Sequence, residues 1–153
     1  MPVINLTQLR AMLPKGARLL GIDPGAKRIG IALSDVDLRL AGPYATLRRG
    51  RLATNAAEIL AIARREGVGG LVVGLPLLPD GTVGPAAQAT RDWTHALSAA
   101  TGLPAALWDE RHSTATVQEM LTREADLGWR RRAEVVDRAA AAHILQSALD
   151  ATR

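Results

Sequence analysis

Residues 18–35, RLLGIDPGAKRIGIALSD, consist of two short apolar runs separated by a Pro-Gly break. The first run, at 18–23, ends on the carboxylate of Asp23. The second run begins only a few residues later, at 28–35. Two apolar runs this close in sequence predict antiparallel strands joined by a tight turn. Asp23 is therefore expected at the end of a buried strand, beside a turn that lets a phosphate approach the backbone.

The rest of the chain continues this strand pair into an alternating arrangement of strands and helices. A short helix is expected at 4–13, before the first strand. The elements predicted after the second strand are a strand at 38–48, a helix at 53–66, a strand at 71–75, a helix at 86–100, a strand at 103–108, a helix from 113 or 114 to 121, an exposed basic loop at 123–132 and a closing helix at 135–151. The first three strands should form an antiparallel meander, and the later strands should add in parallel through helical crossovers. We predict an α/β fold with a five-stranded mixed sheet and helices on both faces, as a single domain over 1–153.

Composition excludes several kinds of protein. The chain has no cysteine, which rules out a disulfide framework, a thiolate zinc site and a cysteine nucleophile. No apolar run is long enough to span a bilayer, and the first residues lack the pattern of a signal peptide. We therefore expect a cytoplasmic protein with no membrane partner.

Charge is distributed unevenly along the chain. The net charge is +4, yet residues 10–66 alone hold eleven Lys and Arg against five acids. That segment is net +6, which leaves −2 for the remainder. This division suits a protein that grips phosphates with one surface and metal ions with another. A solvated, arginine-rich surface explains the charge equally well.

Acidic residues also close the second predicted parallel strand. Asp109 and Glu110 follow the apolar run at 103–108, at the strand end where sheets of this type build their sites. Adjacent side chains point to opposite faces of a strand, so at most one of the two should share a pocket with Asp23. The sequence leaves open which one does.

Asp137 is the most informative acid. On a helical projection it shares a face with apolar residues one turn apart, which are Ala141, Ile144 and Ala148. This face should pack on the sheet, so Asp137 points inward from the start of the closing helix. A buried carboxylate needs a cation, although an acid in a first helical turn is also favoured by the helix dipole.

Taken together, these acids predict a metal site. Asp23, Asp137 and either Asp109 or Glu110 supply the hard oxygen ligands that Mg²⁺ or Mn²⁺ prefers. A pair of such ions can activate water and stabilise the leaving oxygen in phosphodiester cleavage.

Basic residues near these acids are candidates for nucleic-acid binding. Lys27, Arg28 and Arg111 would hold phosphates close to the acids. Further out, Trp129 could stack on a base while three adjacent arginines engage the backbone, namely Arg130, Arg131 and Arg132. The alternative for that run is a solvated charged surface with a partly buried tryptophan.

Four blocks of sequence occur in an order that resembles one known family. They are GIDPGAKRIGIALSD at 21–35, VVGLPLLPDGTVGP at 72–85, DERHSTATVQEML at 109–121 and VDRAAAAHILQSALD at 136–150. The chain resembles the RuvX/YqgF group, the Holliday-junction-resolvase-like proteins also described as pre-16S rRNA nucleases. Arg138 is a departure, because many members carry a small or uncharged residue there.

The resemblance implies an RNase H-like fold and a metal-dependent nuclease. It also implies that Asp23, one acid of the Asp109-Glu110 pair and Asp137 form the catalytic set. The implied substrate is nucleic acid, either structured RNA, with a role in trimming the 5′ end of the 16S rRNA precursor, or branched DNA in a four-way junction. The protein would act as a monomer or a homodimer.

A nucleic-acid-binding module without catalysis is the main alternative from a different class, because this fold also occurs as a passive domain. The full set of acids argues against that alternative. A sugar-kinase or actin-like ATPase shares the Asp-x-Gly turn, but it needs two such lobes, and this chain supplies one.

Overall fold

The computed structural model describes residues 3–110 and 129–153. In the second segment, side chains are described from residue 133 onward. Nine helices and strands are defined in these residues. In chain order they are α1 (Leu6–Met12), β1 (Arg18–Pro24), β2 (Arg28–Ser34), β3 (Ala41–Arg48), α2 (Leu52–Glu66), β4 (Val68–Leu75), α3 (Pro85–Thr101), β5 (Ala105–Asp109) and α4 (Trp129–Ala151). None of these described helices combines the length and apolar character needed to cross a bilayer.

The five strands form one mixed sheet in the order β3-β2-β1-β4-β5. β1, β2 and β3 pair antiparallel, which confirms the predicted meander. β4 and β5 then add in parallel to the other side of β1. β4 is buried over most of its length, as expected for a parallel strand covered on both faces.

Helices cover both faces of the sheet, as predicted. Alternate residues of each strand point to opposite faces, so the sheet contributes to two separate cores. The core under α2 and α3 includes Ile22, Ile59 and Leu97, among others. The core on the opposite face joins α1 and α4 through residues such as Leu9 and Leu145. The second face carries the site described below.

The structure corrects four predicted boundaries, the first of which is the start of β4, at Val68 and not at residue 71. α4 begins at Trp129, so the predicted loop at 123–132 is wrong for residues 129–132. The run of arginines there suggested an exposed loop. However, the stretch contains no glycine or proline, and arginine is a good helix former. β3 begins at Ala41 and not at residue 38, because Leu38 adopts a left-handed φ of 56° in the preceding turn. β5 is shifted towards the acids and includes Asp109. The predicted helix ending at 121 and residues 123–128 lie outside the described residues.

The close contact between α4 and β2 depends on Gly30. A Cβ atom built on Gly30 would overlap the backbone carbonyl oxygen of Asp137 and would lie 3.1 Å from the backbone nitrogen of Arg138. The helix backbone therefore rests directly on the strand backbone at this point. Only glycine permits this approach, which fixes the height of Asp137 above the sheet.

Gly30→Ala should destabilise the protein by about 1–3 kcal/mol, because the added methyl group has to push α4 away from β2. The matched control is Gly42→Ala in β3, where a Cβ would meet no atom within 4 Å. We expect the control to change the free energy of unfolding by less than about 0.5 kcal/mol. Urea unfolding of both variants measures the difference. Equal stabilities would show that the close approach at Gly30 is not a packing constraint.

Candidate carboxylate site and basic groove

Asp23 lies on the α4 face of the sheet, at the end of β1. It is the direct cross-strand partner of Gly30, and directly opposed residues in an antiparallel pair face the same side. Since Gly30 lies beneath the backbone of Asp137, Asp23 also faces that residue. Burial is the main cause that raises the pKa of Asp23 to about 6, and the charge of Asp137 raises it further. The two carboxyl groups, remote in sequence, are thus electrostatic neighbours.

Glu110 approaches the same point from the end of β5. Ala106 and Trp108 contribute to the α4 core, whereas Leu107 packs into the opposite core. This alternation directs Glu110 towards α4. The neighbouring strand β4 has a glycine at the contact point, and a Cβ built on Gly74 would overlap Oε2 of Glu110. The absence of a side chain at this position leaves room for the carboxyl group.

Asp23 and Glu110 share a hydrogen bond between their carboxyl groups. Burial first, and then the charge of Asp23, raise the pKa of Glu110 to about 7. The shared hydrogen bond raises the pKa of Glu110 and lowers that of Asp23, so Glu110 acts as the donor. Near neutral pH the pair therefore retains a proton that a bound cation would have to displace.

Of the two adjacent acids Asp109 and Glu110, the structure brings only Glu110 beside Asp23. Glu110 lies beside Asp23, whereas Asp109 is exposed and follows Leu107 on the other side of β5. Asp109 still acts at a distance, because its charge raises the pKa of Glu110.

Asp137 is held by Arg28. The Nε atom of Arg28 donates a hydrogen bond to Oδ2 of Asp137 at 2.5 Å, and the Asp137 side chain is only 18% exposed. Asp137 was predicted to lie at the start of the last helix, but α4 begins eight residues earlier, so the helix dipole does not explain the carboxylate. The charge of Asp137 is instead compensated by the guanidinium group of Arg28, which was predicted to bind phosphate.

Within residues 3–110 and 129–153, no three His, Cys, Asp or Glu side chains are gathered tightly enough to hold a metal ion. Two of the carboxyl groups are hydrogen-bonded to each other, and the third is turned to Arg28. All three nevertheless lie on one face of the sheet, and their oxygen atoms are ligands that a hard divalent cation prefers. A metal ion would fit this donor set once Asp137 is released from Arg28.

A groove of about 800 Å³ opens beside this site, at the outer edge of β2 and β3. Its lining residues are Ala26, Lys27, Arg28, Thr46, Leu47, Arg48, Arg49 and Glu134. The predicted phosphate-binding residues Lys27 and Arg28 are therefore brought together. Sequence reasoning missed Arg48 and Arg49, and the available signal was their position at the end of the strand that follows the Lys-Arg turn.

The remaining candidate residues were expected to contact nucleic acid. Arg111 lies outside the described residues. The other three lie in the first turn of α4, where the structure describes only the backbone; they are Arg130, Arg131 and Arg132. Their assignment stays a prediction.

Glu110→Gln should raise the melting temperature at pH 8 in EDTA by several degrees. A carboxyl group with a raised pKa stabilises the folded state below its unfolded value of 4.5, and that contribution is lost as the pH rises through about 7. Glutamine carries no charge, so the variant escapes this loss, and the gain should shrink towards pH 4.5. Circular dichroism melts between pH 4.5 and 8 measure it, with the exposed Asp109→Asn variant as a control that changes less. Identical melting temperatures of wild type and Glu110→Gln at pH 8 would contradict the assignment.

Comparison with known proteins gives one family. A family model described as "RuvX: Holliday junction resolvase" matches residues 17–151. A protein of Gluconacetobacter diazotrophicus named "Putative pre-16S rRNA nuclease" is 60% identical over 152 residues, which cover 99% of each chain. A protein of Acidiphilium cryptum with the same name is 57% identical, over 98% of this chain and 94% of its own.

Similarity to solved structures supports the fold. The Thermus thermophilus RuvC structure in complex with a Holliday junction substrate matches with a TM-score of 0.54 and 17% identity, over 88% of this chain and 94% of RuvC. A second Thermus thermophilus RuvC structure matches with a TM-score of 0.50. At this identity the likeness shows the fold alone, and it is RNase H-like, as the resemblance implied.

Proposed function

Because the chain belongs to the RuvX family and is accordingly a nuclease, a hydrolase of phosphodiester bonds, we propose that Asp23, Glu110 and Asp137 form its catalytic centre. We propose further that the centre works with Mg²⁺ or Mn²⁺. The observation that carries the proposal is the convergence of three carboxyl groups, from β1, the end of β5 and α4, on one face of the sheet. Two of them share a proton there, and the charge of the third raises the pKa of Asp23.

The proposed substrate is the 5′ region of the 16S rRNA precursor. This assignment is supported by relatives that carry that activity in their name and match at up to 60% identity over nearly the whole chain. A protein that matures ribosomal RNA would work in the cytoplasm. The competing substrate is a four-way DNA junction, which is favoured by the description of the family model and by the ligand of the matching RuvC structure.

Each carboxyl group has a distinct task in this proposal. Asp23, between the other two, would be the shared ligand, and Glu110 and Asp137 would complete the set. A divalent cation held there supplies an activated water and charge stabilisation at the leaving oxygen. Before it binds, Glu110 has to lose its proton and Asp137 has to leave Arg28. These two requirements follow from the proton that Glu110 shares with Asp23 and from the Arg28–Asp137 ion pair.

Asp23→Asn and Glu110→Gln should each abolish cleavage, whereas Asp109→Asn should retain most of it, because only the first two remove a carboxylate from the α4 face. The measurement is cleavage of a 16S rRNA precursor and of a synthetic four-way junction, side by side, in Mg²⁺, Mn²⁺ or EDTA. Nucleic-acid binding should survive in all three variants. Undiminished cleavage by Asp23→Asn would reject the catalytic assignment, and loss of cleavage in Asp109→Asn alone would move it to that residue.

Arg28→Gln should tighten Mn²⁺ binding by about tenfold, which corresponds to removing about 1.4 kcal/mol of like-charge repulsion. The guanidinium group and a divalent cation compete for the same carboxylate, Asp137. Electron paramagnetic resonance of free Mn²⁺ measures the affinity without any cleavage. The matched control is Arg64→Gln, an equal change of charge at an exposed position on α2. Equal affinities in the two variants would contradict the competition.

A further inference from the structure

Two arginines lie directly opposite each other at the outer edge of the sheet. Arg28 of β2 and Arg48 of β3 are register partners in the antiparallel pair. Like charges in directly opposed positions destabilise a sheet, so this arrangement has a cost that packing alone does not explain. Lys27 and Arg49 flank the pair and line the same groove. The edge is therefore a concentration of positive charge.

Neutralisation of this charge within the protein is incomplete. Asp137 pairs with Arg28, but among the described residues no carboxylate forms an ion pair with Lys27 or Arg48. Glu134 is the one acid in the groove lining, against four basic residues. Lys27 and Arg48 are exposed, which leaves both side chains available to an anion from solution.

Arg49 makes the wall of the groove rigid. Its Nη1 atom donates a hydrogen bond to the carbonyl oxygen of Gly25 at 2.9 Å, and its backbone N–H donates to the carbonyl of Lys27 at 2.9 Å. The same guanidinium group lies over the ring of Trp93, 5.3 Å from its centroid. The turn that carries Lys27 is thus tied to both β3 and α3. A cation that is already held in place, as Arg49 is, loses less entropy on binding than a flexible one.

The groove also meets the carboxylate site. Arg28 belongs to the groove lining and contacts Asp137, so the two sites share this side chain. On the opposite wall, the Thr46 hydroxyl donates to the backbone carbonyl of Glu134 at 2.8 Å, one turn of α4 before Asp137. A chain of phosphates lying in the groove would therefore pass beside the Arg28–Asp137 ion pair.

We propose that the groove formed by Lys27, Arg28, Arg48 and Arg49 binds the phosphodiester backbone of the nucleic-acid strand that is cut. The choice of this ligand rests on the proposed nuclease function. Several cations in a row suit a repeating polyanion better than a single phosphate, and arginine forks match phosphate oxygens. Among the described residues, Trp93 is the tryptophan in contact with a groove arginine, and Arg49 lies over its ring, so recognition would involve the backbone more than the bases.

The test is binding in EDTA, where a metal-dependent nuclease does not cut. Fluorescently labelled single-stranded RNA and DNA of one sequence are titrated with wild type, with Lys27→Gln/Arg48→Gln, and with the control pair Arg64→Gln/Arg91→Gln. Both pairs remove two positive charges, and the control residues are exposed on α2 and α3. Thermal melts confirm that each variant folds.

Loss of two phosphate contacts should weaken binding by about tenfold or more and should reduce the slope of log K against log salt by about 1.4. The control pair should keep the wild-type slope. Equal effects in the two pairs would overturn the groove proposal, since overall charge would then suffice. An equal loss of affinity for RNA and DNA in Lys27→Gln/Arg48→Gln would support backbone recognition. An unchanged affinity for both would overturn it.

This experiment separates the groove from the proposed catalysis. A wild-type protein that binds through the groove, yet cuts neither the rRNA precursor nor the junction in Mg²⁺ or Mn²⁺, would reject the catalytic assignment and keep the groove. Cleavage that depends on Asp23, combined with unchanged binding in Lys27→Gln/Arg48→Gln, would keep the catalytic assignment and reject the groove.

Discussion

Contact between the backbone of α4 and the bare backbone of β2 sets the geometry on which the site depends. Gly30 allows the helix to rest on the strand, and this contact occurs at Asp137 itself. Because Asp23 is the cross-strand partner of Gly30, the same contact brings the two carboxyl groups onto one face. Gly74 of β4 has a similar role, because the lack of a side chain there leaves room for Glu110. Small residues at the sheet surface thus decide where the acids lie.

Acids brought together in this way repel each other, and the protein compensates locally. Burial raises the pKa values of Asp23 and Glu110 to about 6 and 7, helped by the charge of Asp137 on Asp23 and by that of Asp23 on Glu110, so this pair keeps a proton near neutrality. Asp137 is compensated differently, by the guanidinium group of Arg28. A shared proton and an arginine therefore compensate the charge of the three acids. The oxygen atoms of all three are of the kind that a hard divalent cation prefers.

Arg28 connects the chemistry of the acids to the basic edge of the sheet. It neutralises Asp137 on one side, and on the other it belongs to a groove whose remaining cations are exposed or held by backbone contacts. Its register partner Arg48 increases the positive potential there. In the fold, the basic groove thus adjoins the carboxylate site through the Arg28–Asp137 ion pair. Such an arrangement suits a substrate whose phosphates must be drawn towards carboxylates.

The sequence by itself determined the strand order of the meander, the parallel strands, the inward face of the last helix and the set of candidate acids. These follow from local periodicity and from where apolar runs end, which depend on neighbouring residues only. Tertiary structure decided that Glu110 and not Asp109 meets Asp23, that Arg28 holds Asp137, and that Arg48 lines the groove. Those facts depend on strand register and on the height at which α4 packs, and no local pattern encodes the distance between residues on different elements of the chain.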